Sequence, residues 1–289
     1  MKHSFKLTVK RFLGVAAVVS AALVLAACSS GAKKSTNQTT INIGTDGATK
    51  PFDYSENGKL TGYDIEVTRA VFAKLPEYKL NFTIMDFNSI TQSLDNGRIQ
   101  LAANDFGWTA ARAEKYAYSS PLSLSNNAIA VASSSTIKAS KLSDLAGKTT
   151  EGMPASNYTT SIKAYNATVS ADKQIKMNFV SGQTPFSNRL NDVATGKIDF
   201  VLYDRISLES TIKDMGFASK VKVQNVTTTS GDPEHDGYEY LLFAKTSEGT
   251  TLQTKVNKVL KELQADGTLK KLSEKYLGGD FVPKAEMFK

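Results

Sequence analysis

The chain has 289 residues and a formal charge of +7, but Lys2, Lys6, Lys10 and Arg11 all fall within the first 27 residues, which hold no acid, so the remainder carries only +3. That balance is too mild for a nucleic-acid binder, and no basic cluster accompanies it. Cys28 is the one cysteine and His235 the one histidine beyond the leader, which excludes an internal disulfide and a zinc ligand set, and any Ser–His–Asp or Cys–His catalysis would have to be built around His235 alone.

The four leader cations precede an apolar run from Phe12 to Leu25 that closes in "LAAC" at Leu25–Cys28. The run is too short and too abruptly ended to span a bilayer. The arrangement looks like a bacterial lipoprotein signal. That resemblance implies cleavage before Cys28, a lipid such as diacylglycerol with its palmitate-type chains on the thiol, and anchorage on the outer face of the cell membrane. Paired acyl chains make such an anchor durable. Residues 29–40, "SSGAKKSTNQTT", then read as a flexible polar tether.

From Ile41 the chain alternates. "INIGT" predicts a β-branched strand, and "GYDIEVTRAVFAKL" a helix with Val67, Val71 and Leu75 on one stripe and Asp64 as its N-cap. "KLNFTIM" predicts the next strand, "NSITQSLDNG" the next helix, and "RIQLAAN" the third strand. This βαβαβ rhythm predicts an α/β fold with a mostly parallel sheet and helices on both faces. Ligands on such sheets sit beyond the carboxyl ends of the strands, which singles out Asp46, Phe87 and residues 104–107.

The segment "LDNGRIQLAANDF" (94–106) is echoed by "VATGKIDFVLYDR" (193–205), with Gly97 and Gly196 ninety-nine residues apart. Each glycine is placed to end a helix in the left-handed conformation, and each strand that follows delivers polar residues at its end. The echo points to two lobes. Arg112 stands out in "GWTAARAEKYAYSSP", at the start of what reads as an amphipathic helix. The positive end of a helix dipole is a poor place for a cation unless an anion sits beside it.

The stretch from Ile41 to about Phe281 resembles the extracytoplasmic solute-binding proteins of amino-acid ABC transporters, in the polar amino-acid family. "IGTDGATKPFDYSENGKLTGYDIEV", "MDFNSITQSLDNGRIQLAANDFGWTAARAEKYAYSSP", "DLAGKTTEG", "GKIDFVLYD" and "LQADGTLKKLSEKYLGGDF" carry the likeness, in the family's order. The resemblance implies a two-lobed periplasmic-binding-protein-like fold with two hinge crossovers. Residues 41–122 plus 233–289 would form one lobe and residues 123–232 the other, closing about the solute.

The same resemblance gives Arg112 a task, the clamping of an amino acid's α-carboxylate, for which a planar guanidinium offers two parallel charge-assisted bonds. It places Asp204, at the end of the second lobe's strand, on the α-ammonium. Asp46 would be a second acidic contact, Phe87 an aromatic wall, and Asp105 and Gly107 main-chain contacts to the zwitterion. Ser156 and Asn157, in "MPASNYTT", stand at an expected helix N-terminus whose free amides suit a carboxylate. No cofactor and no metal are implied; the partners would be an amino acid, the transmembrane subunits of an ABC permease and the membrane, with the protein itself a monomer. Trp108 is expected to pack half-buried beside the cleft.

Departures from the family bear on the solute. Where many members have a glycine and a threonine in the loop before Thr109, Asp105 and Gly107 stand, and Thr49 replaces a frequent aromatic. "AANDFGWTAARAEKYAYS" is most similar to the cystine-binding branch, whose loop reads much like "NNFGYTKERAEKY". Cystine is thus the leading expectation, with glutamine or another polar amino acid as the alternative. An enzyme of the same fold, a dehydratase using Asp46, Glu151 or Asp105 as acid, and a surface lipoprotein with an adhesive role are the other two classes.

Overall fold

The structure is a computed structural model describing residues 38–228 and 234–289. The leader, Cys28 and the tether as far as Asn37 lie outside the described residues. In chain order the elements are β1 (Thr39–Thr45), β2 (Ala48–Thr49), β3 (Asp53–Glu56), β4 (Lys59–Thr61), α1 (Tyr63–Ala73), β5 (Tyr78–Ile84), α2 (Phe87–Asp95), β6 (Leu101–Gly107), α3 (Ala110–Lys115), β7 (Tyr116–Tyr118) and β8 (Ser123–Leu124). There follow β9 (Asn127–Ala132), β10 (Thr149–Gly152), α4 (Asn157–Asn166), β11 (Lys176–Phe179), α5 (Phe186–Ala194), β12 (Phe200–Asp204), α6 (Arg205–Asp214) and β13 (Val221–Asn225). The chain closes with β14 (Tyr238–Ala244), α7 (Ser247–Ala265) and α8 (Thr268–Tyr276).

Two sheets of like plan organise these elements. The first runs β5-β1-β6-β14-β7, with β8 also paired to β14, and the second runs β11-β10-β12-β9-β13. Within each, three strands are parallel (β5, β1, β6 and β11, β10, β12) and the fourth is antiparallel. The expected mostly parallel sheet is therefore corrected to two mixed ones. The cause is connectivity: β9 and β14 are the strands by which the chain enters each sheet after crossing from the other, and both enter from the end where the parallel strands finish.

Side-chain alternation divides the first sheet's faces. Leu101 and Ala103 of β6, with Leu241 and Phe243 of β14, pack under α1, α7 and α8 through Val67, Val71, Leu252, Val256 and Leu260. Ala102 and Phe106 face the other way, onto Ile90 and Leu94 of α2, in a core that continues into the second lobe.

The echo is visible in the backbone. Gly97 follows α2 at φ 68° and Gly196 follows α5 at φ 77°. Arg98 N–H bonds Ser93 O at 3.0 Å, and Lys197 N–H bonds Asp192 O at 2.9 Å, so both helices end in the same left-handed cap. At the common spacing of 99, Phe87 matches Phe186 at the head of each helix and Asp105 matches Asp204 near each strand's end.

The passages between sheets, after β8 and after β13, run side by side. Ser125 N–H bonds Gly237 O at 2.8 Å and Val226 N–H bonds Asn127 O at 2.9 Å. The Asn127 amide adds bonds to Thr228 Oγ1 and Asp236 Oδ1, each 2.8 Å.

Candidate functional site

The carboxyl ends of β1 and β6 face those of β10 and β12 across the boundary between the lobes, and the expected site residues gather there. Arg112 lies in α3, which is only six residues long, with Thr109 capping it by accepting from Arg112 N–H at 3.1 Å. Arg112 is thus in the first and the last turn at once, and the dipole conflict expected for a longer helix does not arise. Its side chain is buried at 7 % exposure and lies 5.0 Å from the centre of the Phe106 ring. The guanidinium donates to Gly107 O at 2.7 Å and, from the facing lobe, to Ala155 O at 2.5 Å. Among the described residues no carboxylate pairs with Arg112, Glu114 included. Burial lowers its pKa from the ordinary arginine value, as expected for a cation taken from water.

Phe87, the first residue of α2, stacks on Phe106 with ring centres 5.3 Å apart. The Phe87–Phe106–Arg112 column makes a rigid apolar wall under the guanidinium. Gly107 lies against the facing lobe: a Cβ there would stand 2.5 Å from Asn157 Nδ2. A side chain at residue 107 would require the Asn157 amide to move. Ser156 caps α4, its Oγ accepting from Tyr158 N–H at 3.2 Å. Trp108 is half-buried and stacks on His235, ring centres 5.0 Å apart and planes within 8°.

Acids crowd the same region. Asp204 caps α6 with Oδ1, accepting from Ser207 N–H at 2.8 Å, while Oδ2 is buried with no protein partner. Burial raises its pKa to about 6, the Ser207 amide opposing. Asp64 is not the N-cap of α1, as its sequence position suggests; Gly62 is. Asp64 points into the protein and accepts from Asp105 N–H at 2.7 Å, which holds Asp105 at the uncommon φ of 47°. Burial lifts Asp64 to about 7.

Asp105 and Glu239 have no N–H or hydroxyl of the described residues on Asp105 Oδ1, Asp105 Oδ2 or Glu239 Oε2. The two carboxyls are buried and act on one another electrostatically. Burial first, then the neighbouring acids, push both pKa values well up. Asp46 differs from these: its carboxylate accepts from Ala48 N–H at 2.8 Å, Thr49 Oγ1 at 2.9 Å and Asn104 Nδ2 at 3.2 Å. Among the described residues Asp46, Asp64, Asp105, Asp204 and Glu239 form no ion pair with a cation. Among the described residues no group of three or more His, Cys, Asp or Glu is arranged to hold a metal, and no helix is long and apolar enough to cross a membrane.

Sequence reasoning reached Phe106 only as one of residues 104–107, and it missed Glu239 and Arg189. Glu239 had a legible signal, since the alternation of β14 puts it on the face of Leu241 and Phe243, all three buried. The register then sets it opposite Gly107.

The chain matches the family model for bacterial extracellular solute-binding proteins, family 3, over residues 41–171 and 164–279. It is 35 % identical over 268 residues to the probable amino-acid-binding protein YxeM of Bacillus subtilis, covering 92 % of this chain and 95 % of that one. It is 33 % identical over 242 residues to the L-cystine-binding protein TcyJ of the same organism, covering 83 % and 84 %. A solved structure from work on glutathione import through GshT and the cystine importer TcyBC of Streptococcus mutans superposes with a TM-score of 0.79 at 34 % identity, covering 86 % of this chain and 99 % of that one. These relatives are solute-binding proteins rather than enzymes. With two lobes facing each other across a buried, charged boundary, the chain belongs to the bacterial extracellular solute-binding proteins of family 3.

Proposed function

We propose that the protein captures an amino acid outside the membrane, L-cystine being the best candidate, and hands it to the transmembrane subunits of an ABC permease. The observation that carries this reading is Arg112: a buried guanidinium, free of any carboxylate among the described residues, held at the boundary by one carbonyl from each lobe. A buried cation without an acid partner is costly unless an anion joins it, and a solute carboxylate supplies one bidentately. Asp204, with one oxygen unpartnered, takes the α-ammonium; Phe87 and Phe106 wall the site. Ser156, Asn157, Asp105, Gly107 and Asp46 complete it.

The hinge lies at the crossovers, so that residues 41–122 and 233–289 move against residues 123–232. Closure is favoured because the solute touches both lobes only when they are shut. Cys28 carries the lipid that keeps the protein, a monomer, on the outer face of the membrane of a Gram-positive cell. The cystine assignment is supported by the cystine-binding relatives and by the loop at 102–119.

Isothermal titration of residues 29–289 against cystine, glutamine, arginine, glutamate and histidine, beside Arg112→Ala, tests both levels. Tight cystine binding that the variant loses is the expected result. Another amino acid bound and lost in the same way keeps the mechanism and discards cystine. No binding to any of them overturns the reading.

A further inference from the structure

A second arginine is buried at the lobe boundary, and its position is unusual for the element that carries it. Arg189 sits on the inner face of α5 at 4 % exposure. By the spacing of the internal echo it stands where α2 has Ile90, a fully buried core residue. A helix stripe of this kind calls for an apolar side chain, so a guanidinium there costs stability that another role must offset.

Its surroundings satisfy it only in part. Nη2 donates to Glu151 O at 2.8 Å, and Nε has no partner among the described residues. The Glu151 carboxylate is turned to Lys197, 3.8 Å away, and not to Arg189. The guanidinium lies 5.1 Å from the Phe186 ring centre and 5.7 Å from that of Tyr203, so two aromatic faces fix it flat. Among the described residues no carboxylate forms an ion pair with it. Burial lowers its pKa, with Tyr158 among its electrostatic neighbours, as it is among those of Arg112.

Arg189 is not facing a sealed core. It lines a narrow cavity with Tyr203, Met153 and Gly182 from its own lobe and with Asp46 and Thr49 from the other. Tyr203 also packs on Tyr158, ring centres 4.7 Å apart. One boundary therefore holds two buried guanidiniums, each beside aromatic rings and neither paired with a carboxylate among the described residues.

We propose that Arg189 binds a second carboxylate of the solute, so that the cleft selects elongated dipolar molecules with a carboxylate at each end over amino acids with one. Arg112 holds the first carboxylate, and this inference rests on that reading of Arg112. Two parallel N–H bonds from Nε and one Nη atom suit a carboxylate arriving in the plane of the guanidinium. Asp46 and Thr49 face the same cavity and accept an ammonium on that end.

The test compares L-cystine with S-(methylthio)-L-cysteine, which keeps the disulfide and one zwitterion but lacks the second carboxylate, by titration calorimetry on residues 29–289. The wild-type protein is expected to bind cystine at least about 50-fold tighter than the one-ended analogue. Arg189→Met is expected to erase that ratio while leaving the analogue within about threefold of wild type, and Arg189→Lys to restore part of it. A wild-type ratio below about threefold overturns the inference even if the variants fail to fold. So does an equal loss of both ligands in a folded Arg189→Met protein, and both leave the capture reading intact. If the wild type binds neither ligand, the cystine assignment fails and the inference falls with it; if Arg112→Ala keeps both, the capture reading fails as well.

Discussion

The guanidinium of Arg112 reaches from α3 across the lobe boundary to the carbonyl of Ala155, 2.5 Å away, and Ala155 N–H in turn bonds Asn88 Oδ1 at 3.1 Å. The turn before α4 is thereby clipped to the first lobe at both its donor and its acceptor. Replacing Arg112 by Ala removes the clip and the only charge suited to a solute carboxylate at that point. Affinity for the bound amino acid is expected to fall about 100-fold or more, with Arg112→Lys intermediate because an ammonium cannot present a planar fork. Calorimetry checks this, and retention of wild-type affinity by Arg112→Ala would remove the residue from the site.

Acidity of the cleft gives stability a pH dependence of definite sign. Asp204 and Asp64 have folded-state values of about 6 and about 7, above the ~3.9 of an unfolded aspartate. The folded protein therefore holds protons that the unfolded chain has lost, so this contribution is full below pH ~4 and is lost as pH rises through ~6 to ~7. Asp86, Asp144, Glu77 and Asp266 shift downward, Asp86 half-buried and the other three exposed, and they act in a lower range. The melting temperature without solute is expected to drop by several degrees between about pH 5 and about pH 7.5. Glu239→Gln should flatten that slope and raise the melting temperature at the upper pH. A melting temperature that climbs steadily over the interval would contradict the assignment.

Solute binding should show the opposite trend. An ammonium pairing with Asp204 demands the ionised carboxylate, so affinity is expected to tighten from about pH 5 to about pH 7, by at most about tenfold per pH unit. Titrations in buffers of different ionisation enthalpy would reveal the accompanying proton release, and a pH-independent affinity would place the ammonium elsewhere.

Gly107 and Asn157 form a steric pair that a double-mutant cycle can isolate. A Cβ at residue 107 would stand 2.5 Å from Asn157 Nδ2, so Gly107→Ala should hinder closure and weaken binding about tenfold. Asn157→Ala in the same chain should restore much of the loss. Additive losses would show that Asn157 is not what Gly107 makes room for.

Trp108 offers an optical readout, being the only tryptophan in the chain and stacked on His235. Saturating solute should change its emission, and His235→Ala should raise the starting intensity by removing the stacked ring. No change at a solute concentration that calorimetry shows to be saturating would mean that the stack does not respond to the lobes.

The strand ends and the echo were legible because they are written in local pattern: glycine after a helix, a β-branched run, an acid where the run stops. Arg112 was legible through its motif, although the surroundings that matter, Gly107 O and Ala155 O, come from two elements. Asp64 was misread because cap and buried acceptor look alike in sequence; what decides is that Gly62 takes the cap position and Asp105 N–H lies above Asp64. Glu239 became part of the site only through pairing with β6, more than 130 residues earlier. Arg189 was passed over inside an ordinary amphipathic pattern, where its departure from Ile90 shows only once the two helices are aligned.

The paired crossovers have a mechanical consequence. Two passages bonded as Ser125–Gly237 and Asn127–Val226 are tied against sliding past one another, and the proposed closure would then turn one lobe on the other as on a single pin. Displacement then grows with distance from the pin. Gly107 and Asn157 share a narrow cavity with the crossover residues Asn127, Thr228 and Asp236, and so lie close to that pin. On the proposed closure the Lys50–Asp214 pair, 2.7 Å apart at the C-terminal end of α6, joins the two lobes and would have to open for a solute to enter.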